Sequence, residues 1–299
     1  MGFWHAVSRA ARHALKPDVI NMNEEVFLAL GAIRGFEHLT TDNTRVTRLG
    51  GLTNRNYRVD SDRGSYVLRL AGEGTGDYID RTAEWHNASI ASEAGVNAEI
   101  MHFDVGSGTM ICRYIDNAVT LDTAGFSDPA VLARTGLAFR KLHDCGRQFS
   151  GQFELFEQID AYLKVLSDLG AELPPGYSEV QAEAEKVRVA LGSHTLPQRP
   201  CHCDPMMENC IDDGEKVWII DFEYAGNNDP MWDLGDLSVE GSFDDTQDDL
   251  FLQAYFGGSP TEYDRGRMVM YKAMCDLLWT LWGVVQHANG NPADDFWSY

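Results

Sequence analysis

The chain has 299 residues, 44% of them hydrophobic, and a formal charge of −22 from 46 acidic against 24 basic side chains. That length and apolar content can bury a large core in one or two units. The charge speaks against a nucleic-acid partner, whose phosphates call for clustered Lys and Arg, and is compatible with a cationic small molecule, which an acidic cleft concentrates.

The first sixteen residues, MGFWHAVSRAARHALK, lack the apolar middle of a signal peptide. They read as a basic amphipathic helix suited to docking on the protein itself or on a sister subunit, ahead of a membrane surface; a homo-oligomer stays open. Without an export signal, the chain reads as cytoplasmic. A short helix is expected over 23–35, with Gly35 as its stop. From Arg45 the alternation in RVTRL, NYRVD and YVLRL predicts three half-buried strands. Gly50-Gly51-Leu52-Thr53-Asn54 joins the first two. Its glycines let backbone amides approach an anion, and Thr53 and Asn54 add side-chain donors. Arg69 sits on the third strand; its fork can take two oxygens of a phosphate or a carboxylate. A helix over 79–93 offers Glu84, with Glu93 as rival, for pairing with it. A hairpin over 99–115 turns at Gly106-Ser107-Gly108. Helices then follow over 128–144, opened by Asp-Pro, over 153–169, stopped by Gly170, and from a Ser178-x-x-Gln181 capping box to about Gly192.

The stretch 201–236, CHCDPMMENCIDDGEKVWIIDFEYAGNNDPMWDLGD, carries the chemistry. Asp204 can accept a proton from a hydroxyl or hold it in line. Asn209 and Asp221 are hard oxygen ligands of the kind Mg²⁺ takes beside substrate phosphates, and Glu223 follows closely. Cys201-His202-Cys203 lacks C-x-x-C spacing and reads as reduced thiols, not as a zinc site. The chain is read as helical again after Asp236. Glu240 and the acids over 244–249 read as solvated, with Glu240 able to face a cationic substrate. Near the end, MVMYKAMCDLLWTLWGVVQ has a charge-free run of only ten residues, Leu277 to Gln286, about half the roughly 20 of a membrane span. It is read as a buried helix with Trp279 and Trp282 on one face, and no transmembrane segment is expected.

H-x-D-x-x-x-x-N followed by D-F-E-Y (His202 to Tyr224) resembles the catalytic and metal loops of the protein-kinase-like phosphotransferases, in the choline/ethanolamine kinase and aminoglycoside phosphotransferase branch. GGLTN and the W-x-x-W-x-x-x-Q run carry the same resemblance, over about 45–299. It implies an α+β, bilobal kinase-like fold: a helical extension over 1–44, a small antiparallel-sheet lobe over 45–117 and a mostly helical lobe over 118–299. It implies ATP and Mg²⁺ as cofactors, with phosphates on Gly50, Gly51, Thr53, Asn54 and Arg69. Glu84 would pair with Arg69, and adenine would lie on the backbone of Arg113, Tyr114 and Ile115. Asp204 would be catalytic, and Asn209, Asp221 and Glu223 would hold the metal, with His202 and Asp233 bracing the loop. A small cationic alcohol, choline first, would be enclosed by Tyr224, Trp279, Trp282 and Tyr299. Ethanolamine, thiamine or an aminoglycoside is the alternative acceptor, and a nucleotide-binding pseudokinase the alternative class.

Overall fold

The computed structural model describes residues 22–51, 54–72, 74–77, 79–290 and 295–297. The N-terminal amphipathic helix, Thr53 and Tyr299 lie outside the described residues. The chain divides into two compact units, Met1–Asn117 and Ala118–Tyr299.

In the first unit, helix α1 (Met22–Ala32) ends short of Gly35, which reverses the chain at φ +94°. Strands β1 (Thr44–Arg48), β2 (Arg55–Ser61) and β3 (Gly64–Leu70) follow, then α2 (Arg81–Glu93), β4 (Ile100–Asp104) and β5 (Thr109–Arg113). The strands form one antiparallel sheet in the order β1-β2-β3-β5-β4. Alternation decides its faces: Tyr57, Val59, Tyr66, Leu68 and Ile111 are buried with Val26, Leu30 and Ile33 from α1 and beyond. Asp80 caps α2, accepting the N–H groups of Thr82 and Ala83.

The second unit opens with β6 (Val119–Thr120) and α3 (Pro129–His143), which Asp128 caps with Pro129 in its first turn. Helix α4 (Leu155–Leu169) stops at Gly170 in left-handed backbone. Helix α5 (Tyr177–Ser193) corrects the capping-box reading. Its N-cap is Gly176, and Ser178 lies inside the first turn, where its hydroxyl donates to Glu179. Strands β7 (Arg199–Cys201), β8 (Cys210–Asp212), β9 (Val217–Ile219) and β10 (Gly226–Asn228) enter two small antiparallel sheets, β10-β7 and β6-β8-β9.

Helix α6 (Pro230–Glu240) begins six residues before the expected return to helix. Asp229-Pro230 is itself a start signal, since Asp229 accepts the Met231 N–H and Pro needs no donor at that position. Capping boxes open α7 (Asp245–Phe256) at Asp244/Gln247 and α8 (Glu262–Ala288) at Thr261/Asp264. The acids after residue 243 are therefore partly structural: besides the Asp244 cap, Asp248 pairs with Lys272 and Asp249 with Arg265. By length and composition α8 could cross a bilayer, but 56% of its most apolar window is buried inside the unit, against α6 and α4. It is a core helix. Gly235 allows α6 to approach it closely, because a Cβ there would lie 3.0 Å from the Tyr271 Cβ. That approach sets Asp236 against α8.

Candidate active site

Two loops of the second unit carry the oxygen-bearing side chains, and buried groups hold both. After β7, His202 and Cys203 donate their backbone N–H groups to Asp233, at 2.7 Å and 2.9 Å. Asp233 is fully buried and also receives His143 Nε2 at 3.0 Å; the other ring nitrogen of His143 faces the Tyr255 hydroxyl at 2.9 Å. The Trp232 indole donates to the Cys203 carbonyl at 3.1 Å. Together these bonds sustain left-handed backbone at Cys203, φ 68°, which costs a residue with a side chain roughly 1–2 kcal/mol.

Asp204 comes next. Its carbonyl accepts the Met206 N–H at 2.9 Å and Asn209 Nδ2 at 3.2 Å, so 204–209 closes on itself. Burial, then the charges of Glu240, Glu223, Asp233 and Glu208, pushes the Asp204 carboxyl up to about 7. The second loop leaves β9. Ile220 N–H donates to the Asn209 carbonyl, and its own carbonyl accepts His202 Nε2 at 2.8 Å. Burial lowers the His202 pKa, so its ring stays neutral; it packs edge-on against Phe222, with centroids 4.9 Å apart. Asp221 is left-handed, φ 68°, and its carboxylate lies within 4.8 Å of that of Glu223. Two non-glycine residues in left-handed backbone, one in each loop, mark where the chain gives up local comfort for side-chain placement.

Trp279 and Trp282 stand edge to face on α8, with centroids 6.3 Å apart, and Phe296 continues the row at 5.4 Å from Trp282. The Trp279 indole donates to Asp236 Oδ1 at 3.2 Å. Asp236 in turn feels the charges of Asp204 and Glu240. The tryptophan pair thus joins the acidic cluster around Asp204 through one carboxylate. Tyr224 is exposed at the end of the second loop.

In the first unit, the turn at Gly50-Gly51 is tight: a Cβ on Gly51 would lie 2.7 Å from the Asn54 carbonyl oxygen and from Asn56 Nδ2. Asn54 is buried, and its Oδ1 accepts the Gly72 N–H at 3.3 Å, tying the loop to the chain after β3. Arg69 pairs with Glu84 at 2.5 Å, both buried. Arg81 takes the other Glu84 oxygen at 2.6 Å. Among the adenine candidates, Arg113 pairs with Glu99 at 2.7 Å, and the Tyr114 N–H donates to the Ser65 carbonyl, extending the β5 pairing by one bond. Ile115 is half-buried just beyond.

The phosphotransferase enzyme family matches residues 45–271. A solved choline/ethanolamine kinase family protein from Mesorhizobium loti is 50% identical, over 92% of this chain and 90% of its own, with a TM-score of 0.85. The chain belongs to the choline/ethanolamine kinase family. Choline kinase LicA from Streptococcus pneumoniae is 26% identical over 93% of this chain and 95% of its own, TM-score 0.74. A structure of LicA in complex with AMP is 25% identical over 92% and 94%, TM-score 0.70. The chain is accordingly a kinase, with the α+β kinase-like fold. In this choline/ethanolamine kinase, sequence reasoning missed Arg81, His143, Trp232, Asp236, Tyr255 and Phe296. Trp232 alone had a signal, its place beside Asp233; the rest are chosen by tertiary contact. Four thiols, those of Cys201, Cys203, Cys210 and Cys275, are buried in and around the two loops and α8.

Proposed function

We propose that the chain transfers the γ-phosphoryl group of ATP, with Mg²⁺, to the hydroxyl of a small cationic amino alcohol, choline being the acceptor the indole pair favours. The observation that carries this reading is the link from Trp279 through Asp236 to the cluster around Asp204. Indole faces attract a quaternary cation by about 0.5–2 kcal/mol each. Three N-methyl groups add ~2.4 kcal/mol at about 0.8 each, roughly a fiftyfold preference over a bare ammonium.

The donor set fits a divalent cation. Asn209, Asp221 and Glu223 present hard oxygens, and the carboxylates that crowd Asp204 raise its proton affinity in a way that added positive charge would relieve. Bound there, Mg²⁺ would neutralise charge on the phosphates during transfer. Asp204 orients the acceptor hydroxyl and takes its proton late, so that positioning is its larger contribution. Asp233 keeps that carboxylate in place through the amides of His202 and Cys203. In the first unit, Arg69, fixed by Glu84, and the amides at Gly50 and Gly51 are the phosphate-binding groups. Thr53 and Asn54 belong to the same loop, and the backbone of 113–115 is the proposed adenine site. Tyr224 and Tyr299 complete the proposed aromatic surroundings of the acceptor.

A coupled assay of ADP release with ATP and Mg²⁺, over choline, ethanolamine, thiamine and an aminoglycoside, tests the reading. Choline and ethanolamine should turn over faster than thiamine or the aminoglycoside, and Asp204→Ala should lose about 10²–10⁴-fold in kcat while retaining nucleotide binding. Turnover that survives in the variant removes Asp204 from its role; nucleotide binding without transfer to any acceptor favours a pseudokinase.

A further inference from the structure

Asp236 does more than the choline reading requires of it. Only 1% of its surface is exposed. Oδ1 accepts two hydrogen bonds, from Cys275 Sγ at 2.9 Å and from the Trp279 indole at 3.2 Å. Oδ2, equally buried, has no hydrogen-bond partner among the described residues. Glu240, one helical turn on, has a carboxylate oxygen within 4.8 Å of those of Asp236 and of the Cys275 sulfur. Among the described residues no Lys or Arg pairs with Asp236, Glu240 or Asp204. Oδ2 lies next to an indole edge, and burial with the charges of Asp204 and Glu240 holds the Asp236 carboxyl well above its usual range, a cost that a cation bound beside it would relieve.

A quaternary ammonium can supply charge to such an oxygen but no hydrogen bond; an ammonium with an N–H supplies both. We propose that Asp236 is a specificity-determining residue of the acceptor site, its Oδ2 accepting an N–H from the acceptor's ammonium group, so that this chain handles N–H-bearing amino alcohols at least as well as quaternary ones. The inference rests on the amino-alcohol reading above. A hydrogen bond to a charged partner is worth about ten- to a hundredfold in affinity, and three methyl groups on the indoles about fiftyfold the other way. The two nearly cancel between ethanolamine and choline. An acceptor with one or two methyl groups and a remaining N–H collects both gains.

The test is a kcat/KM series on the wild-type chain over ethanolamine, its N-methyl and N,N-dimethyl derivatives, and choline, repeated on Asp236→Asn. Asn retains an oxygen for the Cys275 and Trp279 donors but loses the charge and places an N–H₂ where Oδ2 stood. The wild type should peak at the dimethyl compound, with the third methyl bringing no gain. Asp236→Asn should swing the choline-to-ethanolamine ratio at least about tenfold towards choline, mainly through KM, with the KM for ATP unchanged. A wild-type series that improves evenly up to choline overturns the proposal even if the variant fails to fold, and so does a variant with an unaltered ratio. Absence of turnover on all four acceptors overturns the amino-alcohol reading and this inference with it.

Discussion

Asp204 is pulled in opposite directions by folding and by its proposed catalytic role. Its ordinary value is 3.8, and in the folded chain burial and neighbouring carboxylates push it to about 7. Below the lower value both states are protonated and the group costs nothing. Between the two the unfolded chain ionises first, so stability falls as pH rises; above 7 the cost is complete, on the order of a few kcal/mol. Asp204→Asn should therefore raise the calorimetric midpoint at pH 8, with a much smaller gain near pH 4, while turnover is lost. At low Mg²⁺ the native chain's turnover should climb with pH through about 7, and added Mg²⁺ should move that midpoint down, since a cation favours the charged form. A profile flat from pH 6 to 8 at every Mg²⁺ level would contradict this. Asp233→Ala, which strands two buried amides and His143, should cost about 3–5 kcal/mol in urea denaturation; a loss below about 1 kcal/mol would mean that the loop holds itself. The acids proposed for catalysis and the metal could be nominated from sequence because their chemistry dictates type and spacing. His143 and Tyr255 were not, because their bonds join residues far apart in the chain.

On the element scale, β3 and α2 meet through a buried triad, Arg69–Glu84–Arg81. The single carboxylate serves two guanidinium groups, so Glu84→Ala takes this counter-charge from two buried cations at once. A loss of about 3–5 kcal/mol is expected by denaturant melting, more than for Glu93→Ala; equal effects would deny the triad its part. Helix α8 carries the aromatic surface proposed for the acceptor. Trp279→Ala should raise the choline KM about 3- to 30-fold, as one indole face predicts, and leave the KM for ATP alone. Strands β1 to β3 could be read from their alternation because one face of the sheet is buried and the pleat has period two, and β4 and β5 from the Gly106-Ser107-Gly108 turn between them. Helix starts were read less well. Ser178 has the right neighbours for a cap but already has helical backbone, and the Asp229-Pro230 start is masked by its place in an acid-rich stretch.

For the molecule as a whole, the charge of −22 has its local counterpart in the carboxylates that crowd Asp204, and counter-charge brought by ligands is expected to stabilise it. At a hundred times its dissociation constant, a Mg²⁺-bound non-hydrolysable nucleotide should add ~2.7 kcal/mol, a rise of several degrees for a chain of this size. Asp221→Asn should lose the Mg²⁺-dependent part of that rise; a variant that keeps it would take Asp221 out of the metal set. The kinase-like fold was legible because three separate motifs agree, GGLTN, the stretch from His202 to Tyr224, and the tryptophan run. Asp236 was not, because its importance comes from the close approach at Gly235, which no motif records.

The thiols packed around the two loops carry a consequence of their own. Burial pushes Cys210 up to about 12 and Cys201 and Cys203 well above the ordinary range, and alkylating reagents attack the thiolate. Each of these sulfurs can react only in moments when its loop comes apart, whereas Cys145 is more accessible. Mass spectrometry of alkylation at each position is thus a built-in stopwatch for breathing of the catalytic segment, and a bound Mg²⁺–nucleotide should slow it.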